Sequence, residues 1–84
     1  MPTLLIADDH PLVREALRGA VSRVLPDAVL HEADSVDALY ALVERAPGAN
    51  RLLLDLGMPG AQGFLALVDL RALVPRLPVM IASR

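Results

Sequence analysis

The 84-residue chain has no cysteine, no lysine and no tryptophan, and only one Phe and one Tyr. The lack of cysteine excludes disulfide frameworks and thiol metal sites. The lack of lysine leaves arginine as the source of all eight basic side chains. With aromatics at 2% and hydrophobic residues at 55%, the core has to be filled by aliphatic side chains. Charged residues are 21% of the chain, too few beside so much apolar material for intrinsic disorder. No basic cluster is present, and 8 basic against 10 acidic residues leave a net charge of −2. Such a surface offers no electrostatic footprint for a phosphate backbone, which argues against direct nucleic-acid binding by these residues. Long apolar runs are missing as well. The first, residues 4–7, is cut off at once by Asp8 and Asp9, so neither a signal peptide nor a membrane span is visible. The reading is one small cytoplasmic domain without a membrane partner.

What is present alternates. Leu4-Leu5-Ile6-Ala7, Leu52-Leu53-Leu54 and Val79-Met80-Ile81-Ala82 are short and apolar throughout, the pattern of strands covered on both faces. Residues 28–33 are interrupted by His31 and Glu32, which suits a strand with one exposed side. Between them lie helical patterns. Val13, Leu17, Ala20, Val21 and Val24 form one apolar stripe behind Pro11, with Arg14, Arg18 and Arg23 off it as a solvated face. A second helix is predicted over 36–46, with Ser35 as N-cap, Asp34 accompanying it, and Val36, Leu39, Tyr40 and Val43 facing inward. Pro47-Gly48 stops it. A third helix is predicted over 64–74, ended by Pro75.

The order β-α-β-α-β-α-β implies an α/β fold: parallel strands joined by right-handed crossovers, with helices on both faces of one sheet. The polar second strand belongs at the edge and the apolar first and third inside, giving the flavodoxin-like sandwich with strand order 2-1-3-4. One tension remains. The fourth strand would form the other edge, yet its composition asks for a neighbour and for cover on both faces.

In an open parallel sheet, ligands bind beyond the carboxyl ends of the strands where the order reverses, here between the first and third. Asp8 and Asp9 follow the first strand and Asp55 ends the third, so three carboxylates converge there. Their mutual repulsion is relieved by a hard divalent cation, and Mg²⁺ takes oxygen ligands while retaining waters that a phosphate can replace. Asp55 could then act as a nucleophile that forms an acyl phosphate. Blander readings exist: Asp8-Asp9 as helix-capping residues, and Gly57-Met58-Pro59-Gly60 as an ordinary turn. Asp55 is harder to dismiss, because an uncompensated carboxylate directly after three leucines is costly to bury. Ser83, at the end of the fourth strand, joins the acids at the same edge of the sheet. His10 beside the pocket reads as a solvated loop histidine with a base role as the alternative, His31 as an edge-strand residue, and Met58 as loop packing.

Leu5-Ile6-Ala7-Asp8-Asp9-His10-Pro11-Leu12-Val13-Arg14 and Leu53-Leu54-Asp55-Leu56-Gly57-Met58-Pro59-Gly60, with the spacing between them, resemble the receiver domain of bacterial two-component response regulators. The opening segment is similar to that of the LuxR-type subfamily, in which a receiver precedes a DNA-binding domain. The resemblance implies that Asp55 accepts a phosphoryl group from a phosphohistidine on a sensor histidine kinase. It implies that Asp9, with Asp8 beside it, holds Mg²⁺ together with Asp55 and the backbone carbonyl of Gly57. It implies that the Ser83 hydroxyl binds the phosphoryl oxygen, that Met58-Pro59-Gly60 shapes the neighbouring loop, and that kinases dock near the first helix.

Two departures stand out. The family places a lysine and a switch aromatic on a fifth strand, whereas this chain has no lysine and ends at Arg84. Gln62 stands where an acid is common. Residues 1–84 therefore read as a single receiver domain comprising roughly the first two-thirds of the family fold, without its last helix-strand-helix and without an effector domain. DNA would be reached only through such a domain. The 84 residues alone are expected to dimerise, swap elements or aggregate, because apolar sheet surface is left uncovered. The alternatives are a pseudo-receiver or interaction module that does not use phosphate, and a phosphoaspartyl hydrolase. The latter is disfavoured because Gly57 stands where such enzymes usually carry a second acid.

Overall fold

The computed structural model describes residues 2–58 and 63–82. Its elements are β1 (Thr3–Ala7), α1 (Pro11–Val24), β2 (Val29–Ala33), α2 (Val36–Arg45), β3 (Arg51–Asp55), α3 (Gly63–Leu73) and β4 (Val79–Ala82). All strand pairs are parallel, in the order β2-β1-β3-β4, as the sequence pattern predicts. The register places Ile6 beside Leu53 and Glu32, and Leu53 beside Met80. Side chains at these positions share one face of the sheet, while Leu5, Ala7, Leu52 and Leu54 occupy the other.

The second face carries the core. Leu5, Ala7, Leu52 and Leu54 pack with Val36, Leu39, Leu42 and Val43 of α2, with Ala66 and Leu70 of α3, and with Met58 and Leu77. The α2 N-terminus forms as its sequence predicts: Ser35 is extended and its Oγ accepts from the Ala38 N–H at 3.2 Å. Asp34 is exposed and makes no cap bond. The inward face of α2 carries Val36, Leu39 and Val43 as expected. Tyr40 packs against the core but is only half-buried, and Leu42, one turn past Leu39, is buried in addition to the expected residues. Tyr40 reaches sideways and donates its hydroxyl to Asp69 Oδ2 at 3.0 Å, tying α2 to α3.

Desolvation, followed by the bond to Asp69 and by the negative charges of Asp69 and Asp37, raises the Tyr40 phenol above its usual value of about 10. A folded-state value above the unfolded one adds stability below pH 10, and that increment is lost as pH rises through the raised value. Tyr40 is the sole tyrosine. Phenolate absorbance is therefore expected to rise with a midpoint above about 10 in the folded protein, and to return toward 10 in Asp69→Asn.

The other face is thinner. Leu4 and Ile6 are buried beneath α1, but no residue of α1 itself is buried. The expected stripe is corrected at both ends: Val13 is exposed and Val24 is 76% exposed, leaving Leu17, Ala20 and Val21 half-buried against the sheet. The double-sided cover expected for β4 is not found either. Met80 is 53% exposed and, with Leu4, Ile6, Val21 and Leu53, lines an open apolar groove of about 190 Å³. A single helix is about 10 Å wide and cannot cover four strands spaced nearly 5 Å apart, so the β3-β4 half of this face stays open to solvent.

Candidate functional site

The carboxyl ends of β1 and β3 bring the acids together. Asp8 continues the direction of β1, its N–H bonded to the Ala33 carbonyl on β2 at 3.0 Å, and the residue is only 3% exposed. Asp55, the last residue of β3, is 2% exposed, and its Oδ1 accepts from the Gly57 N–H at 2.9 Å. Asp9 is half-buried. Candidate ligand atoms of Asp8, Asp9, His10 and Asp55 all lie within 4.8 Å of one another, a spacing a single metal ion can bridge.

His10 is the correction here. It is a loop residue whose side chain is 39% exposed, but it is engaged with the acids: its Nδ1 lies 2.9 Å from Asp8 Oδ1, 2.9 Å from Asp9 Oδ1 and 3.9 Å from Asp55 Oδ2. Its backbone N–H also donates to Asp8 Oδ1 at 2.9 Å. The extended backbone at this N-cap position, immediately before Pro11, turns the imidazole back over the acids, where it can donate to the charge they concentrate. Periodicity carried no sign of this, because it depends on the loop conformation and not on residue spacing.

The arginines of α1 are the second surprise. The Arg14 side chain is only 19% exposed, with Nε donating to Glu32 Oε1 at 3.0 Å and an NH1 hydrogen donating to the Asp8 carbonyl at 2.7 Å. Arg18 donates to Glu32 Oε2 at 2.6 Å. The solvated-face reading therefore fails for Arg14 and in part for Arg18. A sequence signal did exist: Arg14 and Arg18 are spaced i, i+4, and Glu32 falls on the same sheet face as Ile6, beneath α1. His31, as expected, is exposed on the edge strand, and Met58 is buried as loop packing.

Ser83, Pro59, Gly60 and Gln62 lie outside the described residues, so the structure does not place the expected hydroxyl relative to the acids. Among the described residues, no helix is long and apolar enough to cross a membrane.

Comparison with known proteins bears on the fold and the family. The chain is 39% identical over 83 residues to the glycerol metabolism activator of Pseudomonas putida, covering 99% of the chain and 38% of that protein. It is 35% identical over 69 residues to the nitrate/nitrite response regulator NarL of Escherichia coli K12, covering 82% of the chain and 32% of the relative. The chain thus spans about two-fifths or less of the length of these relatives. Among solved structures it superimposes on the RcsB response regulator of Salmonella typhimurium with a TM-score of 0.87 at 25% identity, covering 96% of this chain and 42% of that one. Residues 4–84 match the response regulator receiver domain, and the chain belongs to that family.

Proposed function

We propose that this receiver domain takes a phosphoryl group on Asp55 from the phosphohistidine of a sensor kinase, and passes the signal to a transcriptional effector domain. The observation that carries this reading is the burial of Asp55 at the end of β3, within 4.8 Å of Asp8, Asp9 and His10. An acid that is nearly solvent-free and crowded by like charge is costly unless the site uses it. In the transfer, an Asp55 carboxylate oxygen attacks phosphorus, the phosphorus–nitrogen bond of the donor breaks, and an acyl phosphate is left on the protein. The Gly57 N–H on Oδ1 fixes the carboxylate plane for that attack.

Asp8, Asp9 and Asp55 would hold Mg²⁺ through their carboxylates and Gly57 through its backbone carbonyl. Oxygen donors around concentrated negative charge suit this ion. When bound, it supplies charge neutralisation for the transferring phosphoryl group. Ser83 would bind a phosphoryl oxygen. The domain is a signalling module and not an enzyme acting on a separate substrate. Its partners are the kinase and, through an effector domain, DNA, as fits a cytoplasmic regulator of transcription.

The test is labelling by a small phosphodonor with Mg²⁺. The protein is expected to acquire one base-labile phosphoryl group, and Asp55→Asn none. Equal labelling of both removes Asp55 as acceptor, and no labelling of either favours an interaction module that does not use phosphate.

A further inference from the structure

The cluster formed by Arg14, Arg18 and Glu32 lies outside the acidic crevice, yet one of its bonds enters the crevice's backbone. Asp8 is where the chain leaves β1. The N–H of Asp8 is held by the Ala33 carbonyl on one side, and its carbonyl by Arg14 NH1 at 2.7 Å on the other. That carbonyl belongs to the peptide joining Asp8 to Asp9, so its orientation sets the direction in which Asp9 leaves the strand. The guanidinium is itself held: its Nε edge is bonded to Glu32 Oε1, while Arg18 occupies Glu32 Oε2. A planar fork anchored at one edge presents its remaining donors in a fixed direction, which a flexible ammonium does not. Apolar packing holds the strand end at Ala7, but α1 itself has no buried residue, so the bonds of Arg14 are the polar tie between α1 and the β1 exit. A polar strap thus runs from Glu32 on β2 through Arg14 to the carbonyl at the β1 exit.

We propose that Arg14, braced by Glu32, is a positioning residue for the acidic crevice, setting the Asp8-Asp9 peptide in the orientation that binds a divalent cation. This inference rests on the proposed metal site, and the experiment separates the two. Mg²⁺ affinity is measured by calorimetry for the parent protein, Arg14→Ala, Arg14→Lys, Glu32→Gln and Asp9→Asn, each with a metal-free melting curve.

Charge alone gives the opposite sign from positioning, because deleting a cation beside an acidic site tightens Mg²⁺ binding. Positioning predicts that Arg14→Ala weakens it about tenfold, the scale seen when a partner of metal ligands is lost. Glu32→Gln is expected to weaken it less, and Arg14→Lys to recover part of the loss through a single donor to the Asp8 carbonyl. If Asp9→Asn weakens Mg²⁺ while Arg14→Ala leaves it unchanged or tightens it, the positioning role is overturned. If Asp9→Asn itself has no effect, the metal-site reading fails first. Should Arg14→Ala not fold, Arg14→Lys decides: it keeps the charge, so charge alone leaves Mg²⁺ affinity unchanged, whereas positioning predicts a weaker affinity than the parent's, and an unchanged affinity overturns the proposal.

Discussion

Asp55→Asn is expected to melt higher than the parent in metal-free buffer, to melt lower than it in saturating Mg²⁺, and to take no phosphoryl label. The substitution exchanges one oxygen for an amide nitrogen, keeping volume and leaving Oδ1 able to accept from the Gly57 N–H. What it removes is one charge from a group whose ligand atoms lie within 4.8 Å of one another. Two unit charges 4 Å apart interact by roughly 4 kcal/mol at an effective dielectric near 20, and hydrogen bonding offsets much of that. A gain of about 1 kcal/mol for the metal-free variant is the net expectation. Mg²⁺ reverses the order. At one hundred times its dissociation constant the ion adds about 2.7 kcal/mol to the state that binds it, a gain that Asp55→Asn forgoes in large part. Thermal melts with and without Mg²⁺ read the crossing directly. A variant less stable than the parent under both conditions would mean that Asp55 is a structural acid rather than a poised one.

Leu39→Ala is expected to cost about 3 kcal/mol, more than most single substitutions here. Leu39 is fully buried on α2 within the cluster that joins α2 and α3 to β1 and β3. Truncating it removes transfer free energy and leaves a cavity that neighbouring aliphatic side chains fill only in part. A domain of this size has about 4 to 12 kcal/mol in total, so the loss lowers the melting temperature by about 12 to 24 °C. Leu12→Ala is the matched control. Leu12 is exposed at the start of α1, and its truncation is expected to change stability by less than about 0.5 kcal/mol. Comparable losses at the two sites would require α1 to bury far more than its half-exposed face indicates.

The contrast between Leu39 and Leu12 shows how far the sequence could be read. Short aliphatic runs alternating with 3.6-residue periodicity determined the α/β class, the strand order, and the convergence of Asp8, Asp9 and Asp55 at one end of the sheet. These follow from local period and from the handedness of crossovers, which depend little on detailed packing. The same periodicity gave α1 a complete apolar stripe, and the structure leaves Val13 partly and Val24 largely exposed. Period identifies a helix face, but only the neighbouring elements determine whether anything covers it.

His10 and Arg14 mark the same boundary within the site. As single letters, a histidine after two acids and an arginine on a helix read as solvated residues. Only the folded chain turns the imidazole onto three carboxylates and places Glu32 beneath Arg14. Sequence by itself determined which chemical groups gather at the carboxyl edge of the sheet, because strand ends are set by local pattern. Tertiary structure decided how those groups are oriented and held, because that depends on bonds between residues as far apart as Arg14 and Glu32, which no local period encodes.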